Sequence, residues 1–150
     1  MKIVAFNRSA YHNYEIAESL EAGIVLLGSE VKSVREGRVS LKDSYGEVKG
    51  AEVFLVNSHI SPYEPANRFN HDPLRQRKLL LHRQEIKRLI GKIKEKGFTL
   101  IPTKMMLTEK GKIKVEISLA KGKRAYQKKR AIKERELKRE VQAELKRRGR

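Results

Sequence analysis

The chain of 150 residues contains no cysteine, which excludes a disulfide framework, a thiol nucleophile and any Cys-based zinc site. Aspartate is nearly absent. Asp43 opens the string "DSYG" and Asp72 precedes Pro73, both ordinary turn positions. A carboxylate-held Mg²⁺ nuclease centre would therefore have to draw on surface glutamates. The histidines, His12, His59, His71 and His82, stand singly, with no metal-ligand spacing between any two. No G-x-x-x-x-G-K-[ST] phosphate loop is present, although "EKGKIK" and "AKGKR" superficially suggest one, and no serine sits in a nucleophile-elbow context. These absences point away from an enzyme and from any metal or cofactor. Long apolar runs are missing too. The opening "MKIVAFNRSAYHNYE" is too short in its apolar part for a secretory signal, and nothing approaches the ~18 apolar residues of a membrane span. The expectation is a soluble, cytoplasmic protein.

What the chain has is positive charge. Its 35 Lys and Arg exceed 18 Asp and Glu, for a net +17. The last thirty residues, "KGKRAYQKKRAIKERELKREVQAELKRRGR", hold fourteen basic and four acidic side chains, a net of +10. Nothing between Lys123 and Arg148 is glycine or proline, so the backbone does not oppose a helix. The apolar stripe of Ile132, Leu137, Val141 and Leu145 is too thin to bury a core, so the segment needs a partner, and a polyanion is the obvious one. Residues 1–120 are basic as well, at net +7. Each phosphate met by Lys or Arg releases condensed counterions, which makes nucleic acid the first partner class. A merely charged surface, of the kind found in heat-adapted proteins, is the alternative.

Hydrophobic periodicity divides the chain into one domain over 1–120 and a basic tail over 121–150. "KIKVEISLA" alternates strictly, with Ile113, Val115, Ile117 and Leu119 on one face and Lys112, Lys114, Glu116 and Ser118 on the other. "FTLIPTKMML" before it predicts the partner strand, joined through Glu109–Lys110–Gly111, with Pro102 marking an edge or a bulge. A second hairpin is predicted between Ser40–Val48 and Glu52–Ile60. Ile16–Leu27 reads as a long strand bent at Gly23. "EIKRLIGKIKEKG" places Ile86, Leu89, Ile90 and Ile93 on one helical face and ends at Gly97; Ser29–Glu36 is a shorter helix ending at Gly37. Ser61–Arg77, with Pro62, Pro65 and Pro73, reads as a loop. A helix between the third and fourth strands of a five-strand antiparallel set predicts a mainly β, OB-like closed barrel with two to three helices. Another small α+β sheet is the alternative.

RNA recognition needs cations for phosphates and flat groups for unstacked bases. "NRSAYHNY" gathers Asn7, Arg8, Tyr11 and His12, and "DPLRQRKLLLHR" sets Arg75, Arg77 and Lys78 before a triple leucine. Lys110, Lys112 and Lys114 line the outward side of the last hairpin. Tyr11 and His12 divide evenly between packing and stacking, and Leu79–Leu81 reads as core rather than contact.

Taken together, "EAGIVLLGSEVKSVREGRVSLKDSY", "NHDPLRQRKLLLHRQEI" and "KVEISLAKGKR" resemble the SsrA-binding protein (small protein B) family, from about Asn7 to Glu136. The resemblance implies an OB-like barrel, a tail that is disordered in the free protein and helical when bound, and binding of the tRNA-like domain of transfer-messenger RNA. It implies ribosome rescue, with alanyl-tRNA synthetase and elongation factor Tu engaged through the RNA, and a monomeric protein. RNA-binding positions of the family match Glu21, Leu80 and Lys114. The family's tail opens with "KGKK", matched by Lys121, Gly122, Lys123 and Arg124, and continues with an aromatic or histidine before "DKR". Here Tyr126 takes the aromatic position, Gln127 replaces the aspartate, and Lys128 and Lys129 follow, then Arg130. The resemblance directs this tail to the decoding centre and along the empty mRNA channel. Two readings from other classes stay open at this point, a ribosomal protein with a basic extension and an RNA-processing enzyme.

Overall fold

The structure is a computed structural model that describes residues 1–123 and 139–143. Strand β1 (Lys2–Phe6) leads into helix α1 (Arg8–Asn13) and the long strand β2 (Tyr14–Ile24). Helix α2 (Gly28–Arg35) follows, then β3 (Val39–Ser40), β4 (Tyr45–Lys49), β5 (Glu52–Val56) and β6 (His59–Ile60). A 3₁₀ segment, Glu64–Phe69, precedes β7 (Arg77–Leu80), helix α3 (Arg83–Lys96), β8 (Thr99–Leu107) and β9 (Ile113–Gly122).

The main sheet is antiparallel, in the order β1-β8-β4-β5-β7-β2-β9, and β9 pairs again with β8. The mainly β, antiparallel architecture expected from alternation is found. Its core is the shared inward face: Val53, Leu55, Leu79, Leu100, Met105, Val115, Ile117 and Leu119 are all buried, with Leu89 of α3 packed on them. α3 stops at Gly97, whose φ of 66° is the left-handed conformation that glycine adopts without steric penalty. Its start is secured by Glu85, which accepts a hydrogen bond from the His82 N–H at 3.0 Å. Glu18 of β2 receives Lys92 Nζ at 2.5 Å and Arg88 at 2.7 Å, which ties α3 to the sheet.

Two sequence expectations are corrected, that of the second hairpin and that of the polar face of β9, and two others are refined. The predicted hairpin Ser40–Val48/Glu52–Ile60 is split: β4 and β5 pair around Gly50, while β3 and β6 form a separate two-strand ladder. Asp43 and Asn57, both at positive φ (62° and 66°), break the long ladder, and Asn57 Nδ2 donates to the Asp43 carbonyl at 3.1 Å. The register shift in β2 lies between Ile16 and Glu18, and at Gly23 the strand pairs with both β7 and β9. Of the two readings of Pro102 the bulge is found, between Pro102 and Lys104, on a strand with neighbours on both sides. The face of β9 expected to be polar is partly covered, because α1 packs Ala10 against Ile101 and Ala120. Ser118 is accordingly buried and satisfied by Ser19 Oγ at 2.8 Å.

Strands β1 and β7 and helix α1 add to the predicted set. In β7 the inward positions are Arg77 and Leu79, and an arginine at a core position conceals the alternation. Among the described residues no helix is long and apolar enough to cross a membrane. No group of three or more His, Asp or Glu among them could hold a metal ion.

Candidate nucleic-acid interface

One end of the β2–β9 ladder is built around Gly23. It pairs in register with Leu80 of β7 on one side and Lys114 of β9 on the other. Alternation along β7 turns Leu79 into the core and Leu80 outward, leaving Leu80 53% exposed. Gly23 makes that placement feasible: a Cβ there would come within 3.3 Å of the Leu80 Cβ, tighter than ordinary packing. Gly23, Leu80 and Lys114 are shared by two shallow grooves. One runs past Ile24, Leu26, Val31 and Lys112; the other runs past Glu52, Lys78, His82 and Ile86. Leu80 and Lys114 thus form a ridge with an apolar and a cationic member.

Glu21 is exposed two residues before Gly23 on the same strand, hence on the same face. Its partner across the ladder is Glu116, whose carboxylate accepts from Thr103 Oγ1 at 2.6 Å and lies 3.9 Å from Lys104 Nζ. Among the described residues Glu21 forms no ion pair. Lys78 is exposed beside Glu52, at 3.6 Å, and Lys112 is exposed in the β8–β9 turn region. The structure therefore brings together Glu21, Lys78, Leu80, Lys112 and Lys114.

A second cationic group lies at the opposite end of the same ladder, where Tyr14 pairs with Gly122. At the ~3.3 Å rise of a strand, the nine steps from Tyr14 to Gly23 separate the two ends by roughly 30 Å. Here α1 presents Arg8, Tyr11 and His12, all exposed. The Tyr11 ring stacks on Phe6 with centroids 5.4 Å apart and 13° between planes. Lys123 Nζ donates to the Tyr11 carbonyl at 3.1 Å, and Lys121 Nζ stands 4.8 Å from the Phe98 ring centroid. Arg124, Tyr126, Lys128, Lys129 and Arg130 lie outside the described residues, as does the expectation that the tail changes from disordered to helical. Residues 139–143 are helical and exposed.

Two predicted contact residues are structural. Asn7 is buried. Its Nδ2 donates to the Leu41 carbonyl at 3.2 Å and the Pro102 carbonyl at 2.8 Å, and its Oδ1 accepts from Ser9 Oγ at 2.8 Å. Arg77 has no exposure at all. Its guanidinium meets Glu30 at 2.5 Å and donates to the Ser58 carbonyl at 2.8 Å, to Ser58 Oγ at 3.1 Å and to the Pro73 carbonyl at 3.2 Å. Burial pushes the Glu30 carboxyl up, but hydrogen bonds from Arg75, the Leu27 N–H and Arg77 outweigh it and hold the group below the usual carboxylate range. Of the "RQRK" cations, Lys78 alone is exposed; Arg75 is half-buried at 2.6 Å from Glu30. Gly23 belongs to the site as well, and its sequence signal is a glycine inside a strand, a mark of close approach.

Fold and surface together define a β-sheet binding module with cations at both ends of one ladder. The model of the family described as SmpB protein matches residues 4–147, and the chain belongs to that family. The SsrA-binding protein of Symbiobacterium thermophilum is 62% identical over 138 residues, covering 92% of this chain and 87% of that protein. The SsrA-binding protein of Persephonella marina is 57% identical over 146 residues, covering 97% and 95%. A solved chain described as "tmRNA-SmpB: a journey to the center of the bacterial ribosome" is 49% identical, with a TM-score of 0.67, over 79% of this chain and 82% of that one.

Proposed function

We propose that this chain is an RNA-binding ribosome-rescue factor that carries the tRNA-like domain of transfer-messenger RNA into stalled ribosomes. The observation that carries the reading is the register of Leu80, Gly23 and Lys114, which sets an exposed apolar side chain beside a cation on one sheet face. Lys114 would meet phosphate, Leu80 would pack on an exposed base or buttress the surface, and Glu21 would accept from a base edge or orient a cation. Arg8, Tyr11 and His12, at the far end, would face the ribosome or a second part of the RNA. The pairing that returns from β9 to β8 supports an OB-like closed barrel, which would leave few edges exposed.

In this reading the tail enters the vacant mRNA channel, with Tyr126 able to stack on a decoding-centre base and Lys128, Lys129 and Arg130 meeting phosphates. Its i,i+4 pairs Arg130–Glu134 and Glu134–Lys138 favour helix once the excess charge is neutralised. Elongation factor Tu and alanyl-tRNA synthetase are engaged through the RNA, the protein acts as a monomer in the cytoplasm, and no step requires catalysis by the chain. Sequencing the RNA that co-purifies with the full-length protein tests this. One dominant transfer-messenger RNA is expected; bulk ribosomal RNA would make the chain a ribosomal protein instead.

A further inference from the structure

The loop between β6 and β7 is tied down at close intervals. Asn70 Oδ1 accepts from the Tyr63 N–H at 2.9 Å, and Asn70 Nδ2 donates to the Tyr63 carbonyl at 2.7 Å, closing the 3₁₀ segment on itself. His71, buried, is held between Ser29 Oγ at 2.8 Å and the Ile60 carbonyl at 2.9 Å. Within this frame Asn67 takes φ 46° and ψ −119°, a conformation that side chains rarely adopt and that persists only where the surroundings enforce it.

A loop so well secured has the means to fold its large apolar groups inward. It does the reverse. Phe69 is 77% exposed, the most exposed large hydrophobic residue among those described. With Tyr63, Leu27, Pro65 and Ala66 it lines a groove in which Lys32 is the charged member; Glu64 does not line it. Each ring has a cation over one of its faces. Lys32 Nζ lies 5.3 Å from the Tyr63 centroid, and the Arg68 guanidinium carbon lies 5.1 Å from the Phe69 centroid. Flat faces with adjacent cations match an unstacked base and its phosphates. An apolar peptide would cover the rings but leave Lys32 and Arg68 without counter-charge.

We infer that this loop is a second RNA contact, in which an unpaired base stacks on Phe69 and Tyr63 while Lys32 and Arg68 meet its phosphates. The inference rests on the RNA-binding reading above. The two surfaces are neighbours: β2 ends at Ile24, and the link to α2 runs through exposed Val25 and Leu27 to this groove. On α2, Val31 lines the Leu80 groove and the next residue, Lys32, lines the loop groove. One RNA can therefore reach both by crossing α2.

The chain has no tryptophan, so Phe69→Trp in the full-length protein gives a single reporter. It is titrated with the tRNA-like domain of transfer-messenger RNA and, in a second arm, with ribosomal RNA, while filter binding follows each complex separately. Quenching of the indole on complex formation, absent with heparin, and a roughly tenfold weaker affinity for Phe69→Ala are expected. The arm that quenches identifies the RNA that supplies the base. If the RNA binds without quenching and Phe69→Ala binds as the parent does, the loop proposal falls and the RNA-binding function stands. An emission change with RNA-free ribosomal proteins alone would make the loop a protein contact and overturn the proposal. If neither RNA binds at all, the functional reading fails and takes the loop with it.

Discussion

The guanidinium of Arg77 lies 2.5 Å from the carboxylate of Glu30, and neither side chain reaches solvent. The pair joins α2 to β7, the strand that carries Lys78 and Leu80 at its outward positions. Removing one member of such a pair leaves the other buried without a counter-charge, at a cost of about 3–5 kcal/mol. Glu30→Ala should therefore lower the melting temperature by roughly 6 °C or more, since about 1 kcal/mol is worth about 2–4 °C in a chain this size. A Glu30→Met, Arg77→Leu double variant should recover most of the loss, because no fully buried charge is then stranded and Arg75, which also loses Glu30, reaches solvent. A melting temperature for Glu30→Ala within a degree or so of the parent would falsify the clamp.

The same carboxylate sets a pH dependence. Glu30 is held below the usual carboxylate range in the folded protein: burial alone would raise it, but hydrogen bonds from Arg75, Leu27 and Arg77 prevail. A depressed folded-state pKa contributes stability that is fully present above the unfolded-state value and is lost as pH falls through the folded one. Melting temperature followed from about pH 7 to about pH 3 should decline in the parent. In Glu30→Gln it should start lower and decline less steeply. Parallel curves would show that other carboxylates carry the acid sensitivity; Glu18, held low chiefly by its hydrogen bond from Lys92, is the first to examine.

The ridge itself predicts two different losses. Lys114→Ala should weaken RNA binding by about 1 kcal/mol, roughly fivefold, and reduce the slope of log affinity against log salt by about 1. Leu80→Ala should also weaken binding but leave the slope unchanged, because it removes apolar contact and no charge. Affinities measured across a salt series separate the two. Equal slopes for Lys114→Ala and the parent would remove Lys114 from the interface.

β9 was the strand most open to sequence reading: its alternating Val115, Ile117 and Leu119 are all buried, although Ser118 and Ala120 on the other face are covered too. β7 was hidden because its inward residues are Arg77 and Leu79, and a charged residue at a core position breaks the alternation that marks a strand. The pairing that rescues Arg77 comes from Glu30, 47 residues away, and no local pattern signals it. Asn7 misled for a related reason. Its polar neighbourhood suggested a surface, but the backbone carbonyls it satisfies, Leu41 and Pro102, reach it only through tertiary folding. Glu21, Leu80 and Lys114 entered as site candidates through a family resemblance. That Gly23 joins Leu80 and Lys114 depends on strand register, which periodicity does not determine.

Strand register also decides where the tail can be removed. A sequence boundary at Ala120 would cut into β9, which continues through Lys121, paired with Glu15, and Gly122, paired with Tyr14. Lys123 adds its hydrogen bond to the Tyr11 carbonyl. A chain ending at Lys123 keeps all of these contacts and removes twelve basic and four acidic side chains, a net of +8. It should melt with the full-length protein, whereas a chain ending at Ala120 should melt lower. If the tail acts in the vacant mRNA channel, the Lys123 truncation should still bind the tRNA-like domain but should not support peptide transfer to transfer-messenger RNA on stalled ribosomes. Single-turnover transfer on such ribosomes, with binding measured in parallel, provides the comparison. Normal transfer by the truncated chain would place the function in the β domain alone and leave the tail only a general affinity for polyanions.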